Sequence, residues 1–228
     1  MRKIKLIIIT SLFLVMSFVS YSQSIGFSYF FPKNGYFSNP VAPISFSIPL
    51  KLYDFFQISP GIGLYHIGGM SMTGFAEEYN SERTLVGPFQ SLELTLLPAI
   101  VIGFKKVKFD IVGGLFGFWG FNEKLIADEF NQMLAESHDF SSFDSNLNYK
   151  KNGFGWGYIY GIKFSFKLTK SAWGYIGANY YTGSQLFKID GNYIATKGIN
   201  YYESGSFNFN TSKILYQGLQ ISVGAILK

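Results

Sequence analysis

From Asn152 to Leu168 the chain alternates. Phe154, Trp156, Tyr158, Tyr160, Ile162, Phe164, Phe166 and Leu168 take every second position, with Gly155, Gly157, Ile159, Gly161, Lys163, Ser165 and Lys167 between them. A period of two is that of a β-strand, whose successive side chains point to opposite faces. One face is aromatic and unbroken, and the other is small or charged. In a soluble sandwich the apolar face would be inside. Here the small, polar face has the character of an interior, and that inversion predicts a transmembrane β-barrel, greasy toward lipid and polar toward its lumen.

Seven further segments alternate in the same way. They span residues 24–31, 41–48, 55–67, 89–103, 107–119, 172–185 and 212–227, which with 152–168 makes eight strands. In the first, Ile25, Phe27, Tyr29 and Phe31 share a face. In the last, Leu215, Leu219, Ile221, Val223 and Leu227 lie opposite Tyr216, Gly218, Gln220, Ser222 and Gly224. The connections alternate in length. Short links fall at 49–54, 104–106 and 169–171, and long ones at 32–40, 68–88, 120–151 and 186–211. Outer-membrane barrels sort their connections this way, with short periplasmic turns and long extracellular loops. The expected fold is therefore an all-β, antiparallel, up-and-down transmembrane barrel of about eight strands.

Two features complicate this reading. Pro43, Pro60 and Pro98 fall inside expected strands, where proline removes a ladder donor and marks a bulge or a boundary. Asp190-Gly191 is a tight-turn signal. It predicts a small hairpin in the fourth long loop, or an extension of the last two strands that would raise the count to ten. The third long loop also has helical character over 122–137. Asn122 can cap, and Ile126, Phe130 and Leu134 follow at i, i+4 and i+8 beside Met133. The helix is acidic. It reads either as a lid or partner-binding element, with Phe130 as a candidate contact, or as a short helix packing its stripe on neighbouring strands.

The first 22 residues have the form of a secretory signal. Arg2, Lys3 and Lys5 precede an apolar run over 6–19, and Ser20 and Ser22 are suitably small for cleavage before Gln23. The apolar run is short for a membrane helix of about 20 residues. The expected division is a signal peptide at 1–22 and a barrel domain at 23–228. The formal charge of +5 then shrinks. Without Arg2, Lys3 and Lys5, 16 basic residues face 14 acidic ones, a net +2, so the basic balance is no nucleic-acid footprint. Cysteine is absent, which excludes thiol chemistry and disulfides.

Candidate chemistry is sparse. Glu93, Asp110, Lys163 and Lys167 share the polar phase, and opposite charges in a narrow lumen are expected to pair. An internal salt-bridge network is the leading reading, and a gated ion path the functional alternative. An eight-stranded lumen can be filled by side chains, so an open pore is not expected. His66 and His138 are the two histidines, too few for a metal centre. A triad of His138 with Asp139 and Ser141 or Ser142 would crowd sequence neighbours that seldom adopt such geometry. Tyr201 and Tyr202 are candidates for a surface that meets a partner or glycan. No cofactor is implied, and no phosphate loop is present.

On strand pattern and loop sorting, the chain resembles the small eight-stranded outer-membrane barrels, the class of the OmpA membrane domain and of OmpX-like and OmpW-like proteins. Its signal, ending Ser20-Tyr21-Ser22-Gln23, resembles those of Bacteroidota outer-membrane proteins. The resemblance implies a Gram-negative outer-membrane location, a monomer surrounded by outer-membrane lipid, and partners drawn from extracellular or membrane proteins. Three roles remain open: a non-enzymatic structural or surface-interaction barrel, a porin-like conduit passing small apolar molecules through the wall near Pro60 or Pro98, and a lipid-modifying enzyme using a histidine.

Overall fold

The computed structural model describes residues 22–36, 44–75, 83–150, 153–198 and 201–227. In chain order the strands are β1 (Gln23–Pro32), β2 (Ile44–Ser47), β3 (Leu50–Tyr53), β4 (Phe56–Ile67), β5 (Met70–Thr73), β6 (Thr84–Val86), β7 (Phe89–Gly103) and β8 (Val107–Phe121). Helix α1 (Ala127–Ser137) follows, then β9 (Ser142–Tyr149), β10 (Phe154–Lys167), β11 (Ala172–Leu186), β12 (Ile189–Lys197), β13 (Tyr201–Phe209) and β14 (Lys213–Leu227). Residues 1–21 of the signal segment and residues 41–43 of the expected second strand, Pro43 among them, lie outside the described residues.

The wall is a closed antiparallel barrel of eight strands. β14 pairs with β11 on one side and with β1 on the other, and the circuit runs through β2 with β3, β4, β7, β8 and β10. β2 and β3 make one wall strand, broken where Pro49 lacks an N–H. Ile48 N still donates to Pro60 O at 3.0 Å, so the ladder carries on across the break. The first short turn consequently lies at Asp54 and Phe55, not across residues 49–54. Pro60 and Pro98 leave the register of β4 against β7 unshifted. β7 also meets β8 in one register on both sides of Pro98.

The alternation decides the faces. Ser24, Gly26, Ser28 and Phe30 point inward on β1, and Ile25, Phe27, Tyr29 and Phe31 stand exposed between them. On β10 the exposed set is Phe154, Trp156, Tyr158, Tyr160, Ile162 and Phe164. Leu94 and Leu96 on β7, Leu115 on β8 and Ile221 and Val223 on β14 continue the belt. Water-soluble proteins rarely expose contiguous apolar surface of this extent; lipid tolerates it, and the barrel is a transmembrane one. Arginine on that face should therefore be costly. Ile162→Arg, at a position 47% exposed, is expected to lower folding stability in lipid by ~2–4 kcal/mol if it lies near the midplane. Urea titration in vesicles measures this, and a change near zero would reverse the assignment of faces.

The lumen-side glycines of β10 have a packing cause. A Cβ on Gly155 would come within 2.3 Å of Phe118 Cζ, and one on Gly157 within 2.7 Å of Phe116 Cε1. Rings from β8 lie across these positions, so the small phase leaves room for large side chains inside the barrel.

The long connections are folded. β9, β12 and β13 form a separate three-stranded sheet with β12 in the centre. The wall strands therefore stay at eight, and Asp190-Gly191 is not a turn. It sits inside β12, with Asp190 opposite Asn148 and Asn208. Glycine is required there by a close approach, since a Cβ at 191 would fall 2.3 Å from the Asn146 carbonyl oxygen. The β12–β13 hairpin turns beyond Lys197, where Gly198 takes φ +70°. The helix is shorter than the 122–137 pattern predicts. Asn122 adopts φ +60° and does not cap; Ile126 occupies the cap position, with no side-chain cap bond. Residues just before the helix run beside β6 instead. Val86 bridges to Leu125, and Ile126 N donates to Leu85 O at 2.8 Å. Asp128 and Glu129 in the first turn suit the positive end of the helix dipole.

Candidate functional site

The interior is layered. Nearest the short turns it is polar. Lys163 Nζ lies 3.0 Å from Asp110 Oδ2 across the β8–β10 pair, and Gln57 Nε2 donates to the same oxygen at 3.1 Å. Both members of the ion pair are largely withdrawn from solvent, and Lys163 also lies 5.9 Å from the Tyr175 ring centroid. Asp110 Oδ1 and Ser165 Oγ have no protein partner and line a cavity of about 40 Å³. Cavities this polar and this large accommodate water. Above them is a cavity of about 100 Å³, walled by Ser24, Ser28, Ser59, Asn179, Gln220 and Ser222 among others.

Glu93 takes no part in the lysine pairing. It is buried, and its carboxylate accepts hydrogen bonds from Tyr181 Oη at 3.0 Å and Tyr216 Oη at 3.2 Å. Lys167 is exposed at the short-turn end of β10. Of the four polar-phase residues, the fold thus brings Asp110 and Lys163 together, gives Glu93 to two phenols, and leaves Lys167 at the rim. Alternation alone does not reveal the tyrosines as partners of Glu93. Tyr181 has the look of a girdle aromatic, and no spacing joins Tyr216 to the carboxylate.

The upper lumen is closed by rings. Phe116 and Tyr181 have centroids 5.0 Å apart, Phe118 and Tyr216 4.6 Å, and Phe30 and Tyr216 4.9 Å. Phe89, Phe116, Phe118 and Tyr216 are almost wholly buried. Offset and edge-on contacts of this kind add to the burial of the rings themselves. They plug the barrel at the level of Glu93.

Over the plug sits a cap with its own core. Phe130, Met133 and Leu134 of α1 are buried, and the Phe130 ring packs against Phe75, Phe207 and Phe209. Phe130 is therefore no surface contact, because the helix turns its apolar stripe onto the cap sheet and β5–β6. Arg83 fastens the outer side of α1. Its Nη1 lies 3.0 Å from Glu129 and its Nη2 2.7 Å from Glu136, contacts that hold the guanidinium above its ordinary range, the Glu129 hydrogen bond foremost. On the sheet, Tyr193 Oη donates to Glu203 at 2.8 Å, which raises the phenol above its usual value. Tyr201 and Tyr202 stand exposed, Tyr202 at 73%.

The histidines lie apart from any ligand cluster. Gln90 Nε2 and His66 Nδ1 are 3.2 Å apart, and the His138 ring lies beside Phe140. Asp139 pairs with Lys197 at 3.0 Å, Ser141 Oγ accepts from Gly198 N, and Ser142 shares a hydrogen bond with Thr196. Among the described residues no group of three or more His, Asp or Glu side chains could hold a metal ion.

These features define a class: a closed, eight-stranded transmembrane barrel with a ring-plugged lumen and a folded cap. The chain matches no protein-family model and no curated sequence. Among solved structures it is similar to the outer membrane protein OprG from Pseudomonas aeruginosa, at 11% identity and a TM-score of 0.48, over 91% of this chain and 94% of that one. It is also similar to Ail, the attachment invasion locus protein of Yersinia pestis, at 12% identity and 0.42, over 91% and 96%. A major outer membrane protein from Thermus thermophilus gives 9% and 0.40, over 92% and 99%. Similarity at this level carries nothing about chemistry.

Proposed function

We propose that this chain is an integral outer-membrane β-barrel protein with a structural or surface-interaction role and no enzymatic activity. The observation that carries the reading is the ring plug beneath a cap that has its own core: the protein commits buried aromatic side chains to closing its lumen and ordering its loops. The signal-like segment 1–22 and the sorting of loops put the cap outside the cell in this reading, with lipid around the belt. Strand pattern and signal favour a Bacteroidota-type member of the OmpA/OmpX/OmpW-like class. A partner, extracellular or in the membrane, would meet the cap near the exposed Tyr201 and Tyr202.

The conduit reading has one observation in its favour. The 100 Å³ cavity includes Phe46 and Ile62 in its lining, at the seam between β2 and β4. Its other walls are rich in serine and amide side chains, which suit apolar cargo poorly. The test is conductance across a planar bilayer. The expected result is no stable open state from the intact protein. A steady ohmic current that survives in it would overturn the closed-barrel reading. Tyr216→Ala, which removes a fully buried ring, is expected to introduce leak.

A further inference from the structure

β8 and β10 are neighbours in the wall, so the β7–β8 and β10–β11 turns lie side by side. Lys167 N donates to Lys106 O at 2.9 Å, joining them directly. Between them these turns and their strand ends carry Lys105, Lys106, Lys108, Lys167 and Lys170. No carboxylate belongs to either turn. Asp110 is held inside by Lys163, Glu93 lies deeper between its tyrosines, Asp54 is engaged by Lys51 in the other short turn, and every other acidic residue belongs to the long connections. Among the described residues no ion pair involves Lys105, Lys106, Lys167 or Lys170.

The patch is not purely polar. Phe104 and Leu168, at the tips of the two turns, are 69% and 58% exposed. The Lys108 ammonium lies 4.7 Å from the centroid of the Trp173 ring. Directly beyond the turns the apolar belt begins, with Ile102 and Phe164 exposed. Water around this end would meet the lysines but leave two bare apolar side chains unsatisfied. The boundary between acyl chains and headgroups satisfies both. Lysine stems lie along apolar surface there while their ammonium groups reach outward, and anionic headgroups attract lysines held at the membrane surface.

We propose that the paired turns form a docking patch for anionic phospholipid headgroups in the leaflet at the short-turn end. Lys105, Lys106, Lys167 and Lys170 meet the phosphates, and Phe104 and Leu168 anchor in the acyl boundary, while Lys108 stays turned to Trp173 at the lumen side. The inference rests on the membrane-spanning reading and adds to it a lipid preference of defined sign and location. Charge complementarity selects the lipid: Asp54, paired with Lys51, is the one carboxylate in a short turn, and the two paired turns carry none. Lys51, already turned to Asp54, is outside the patch.

The test uses the full chain inserted in mixed phosphatidylcholine and phosphatidylglycerol vesicles, released gently, with its retained lipids identified by native mass spectrometry. The wild type is expected to retain phosphatidylglycerol in excess over the mixture, and to lose that excess in high salt. The variant Lys105→Gln/Lys106→Gln/Lys167→Gln/Lys170→Gln should insert normally and carry lipids in the proportions supplied, while Lys51→Gln keeps the preference. Retention by the wild type in the proportions supplied, or an undiminished preference in the fourfold variant, overturns the proposal. So does a wild type that binds inorganic polyphosphate better than the variant yet selects no lipid. A chain that inserts in neither lipid removes the membrane-spanning reading as well, which separates the two failures.

Discussion

Phe130→Ala is expected to loosen the cap by ~3–5 kcal/mol, the usual cost of removing a fully buried phenylalanine ring and leaving a cavity. The ring has no exposed surface and stands among Phe75, Phe207 and Phe209, all contributed by long connections. The loss should therefore be confined to the cap. Hydrogen exchange would rise in α1, β9, β12 and β13, while protection in β7, β8, β10 and β11 stays as it was. Those wall strands are held by long, continuous ladders that Phe130 does not touch. Exchange that rises equally in wall and cap would mean the two unfold as one unit. Trimming the helix, residues 123–139, should likewise leave the barrel able to assemble.

This division between wall and cap is also the division between what could and could not be read from the chain. The wall was legible because lipid on one side and a narrow lumen on the other impose opposite demands on adjacent residues. Tyr160 and Gly161, or Ile221 and Ser222, record this without reference to any other strand. The phase of β1 alone assigns Ile25 to the outside and Ser24 to the inside. The cap sheet alternates too, with Phe143, Leu147 and Tyr149 turned in on β9, but its polar positions argue against a strand. Its outward positions on β9 and β12 include Asp144, Asn146, Asn148, Asp190 and Asn192, residue types with low strand propensity. Asp190-Gly191 carries the local signature of a turn, and only pairing with Asn148 and Asn208 on both sides overrides it. Phe207 and Phe209 are apolar residues two apart in the chain, but the partner that explains them, Phe130, lies on a helix from another loop.

The polar interior divides in the same way. The phase of each strand places Asp110 and Lys163 inside, and the β8–β10 register sets them directly opposite. The phase follows from alternation alone, but the register does not, because a long connection and no tight turn joins β8 to β10. Alternation puts Glu93 in the lumen on the same ground, but its partners depend on the barrel closing. Tyr181 and Tyr216 reach it from β11 and β14, strands that are not neighbours of β7 in the wall. A contact across the lumen has no sequence period, so alternation could locate the carboxylate without saying what it meets.

Lys163→Met should cost ~3–5 kcal/mol, because it removes one member of a buried ion pair and leaves the other uncompensated. Asp110 would keep only the amide of Gln57 on Oδ2, with Oδ1 already lacking a protein partner. Methionine has nearly the length of the lysine stem, so the loss measured is chiefly that of the charge. The companion variant sharpens the interpretation. Replacing both members, Lys163→Met with Asp110→Leu, should recover most of the stability, since well-packed apolar substitutes for a buried pair are often neutral. Urea titration of both variants in vesicles gives the comparison. If the single variant is as stable as the wild type, Asp110 is being satisfied by water reaching it from the short-turn end, and the pair is solvated rather than buried. If the double variant is as unstable as the single one, the cost lies in packing around Tyr175 and not in the orphaned charge. The pair would then hold the lower lumen by its shape, and the polar layer beneath the ring plug would owe its stability to contacts other than this ion pair.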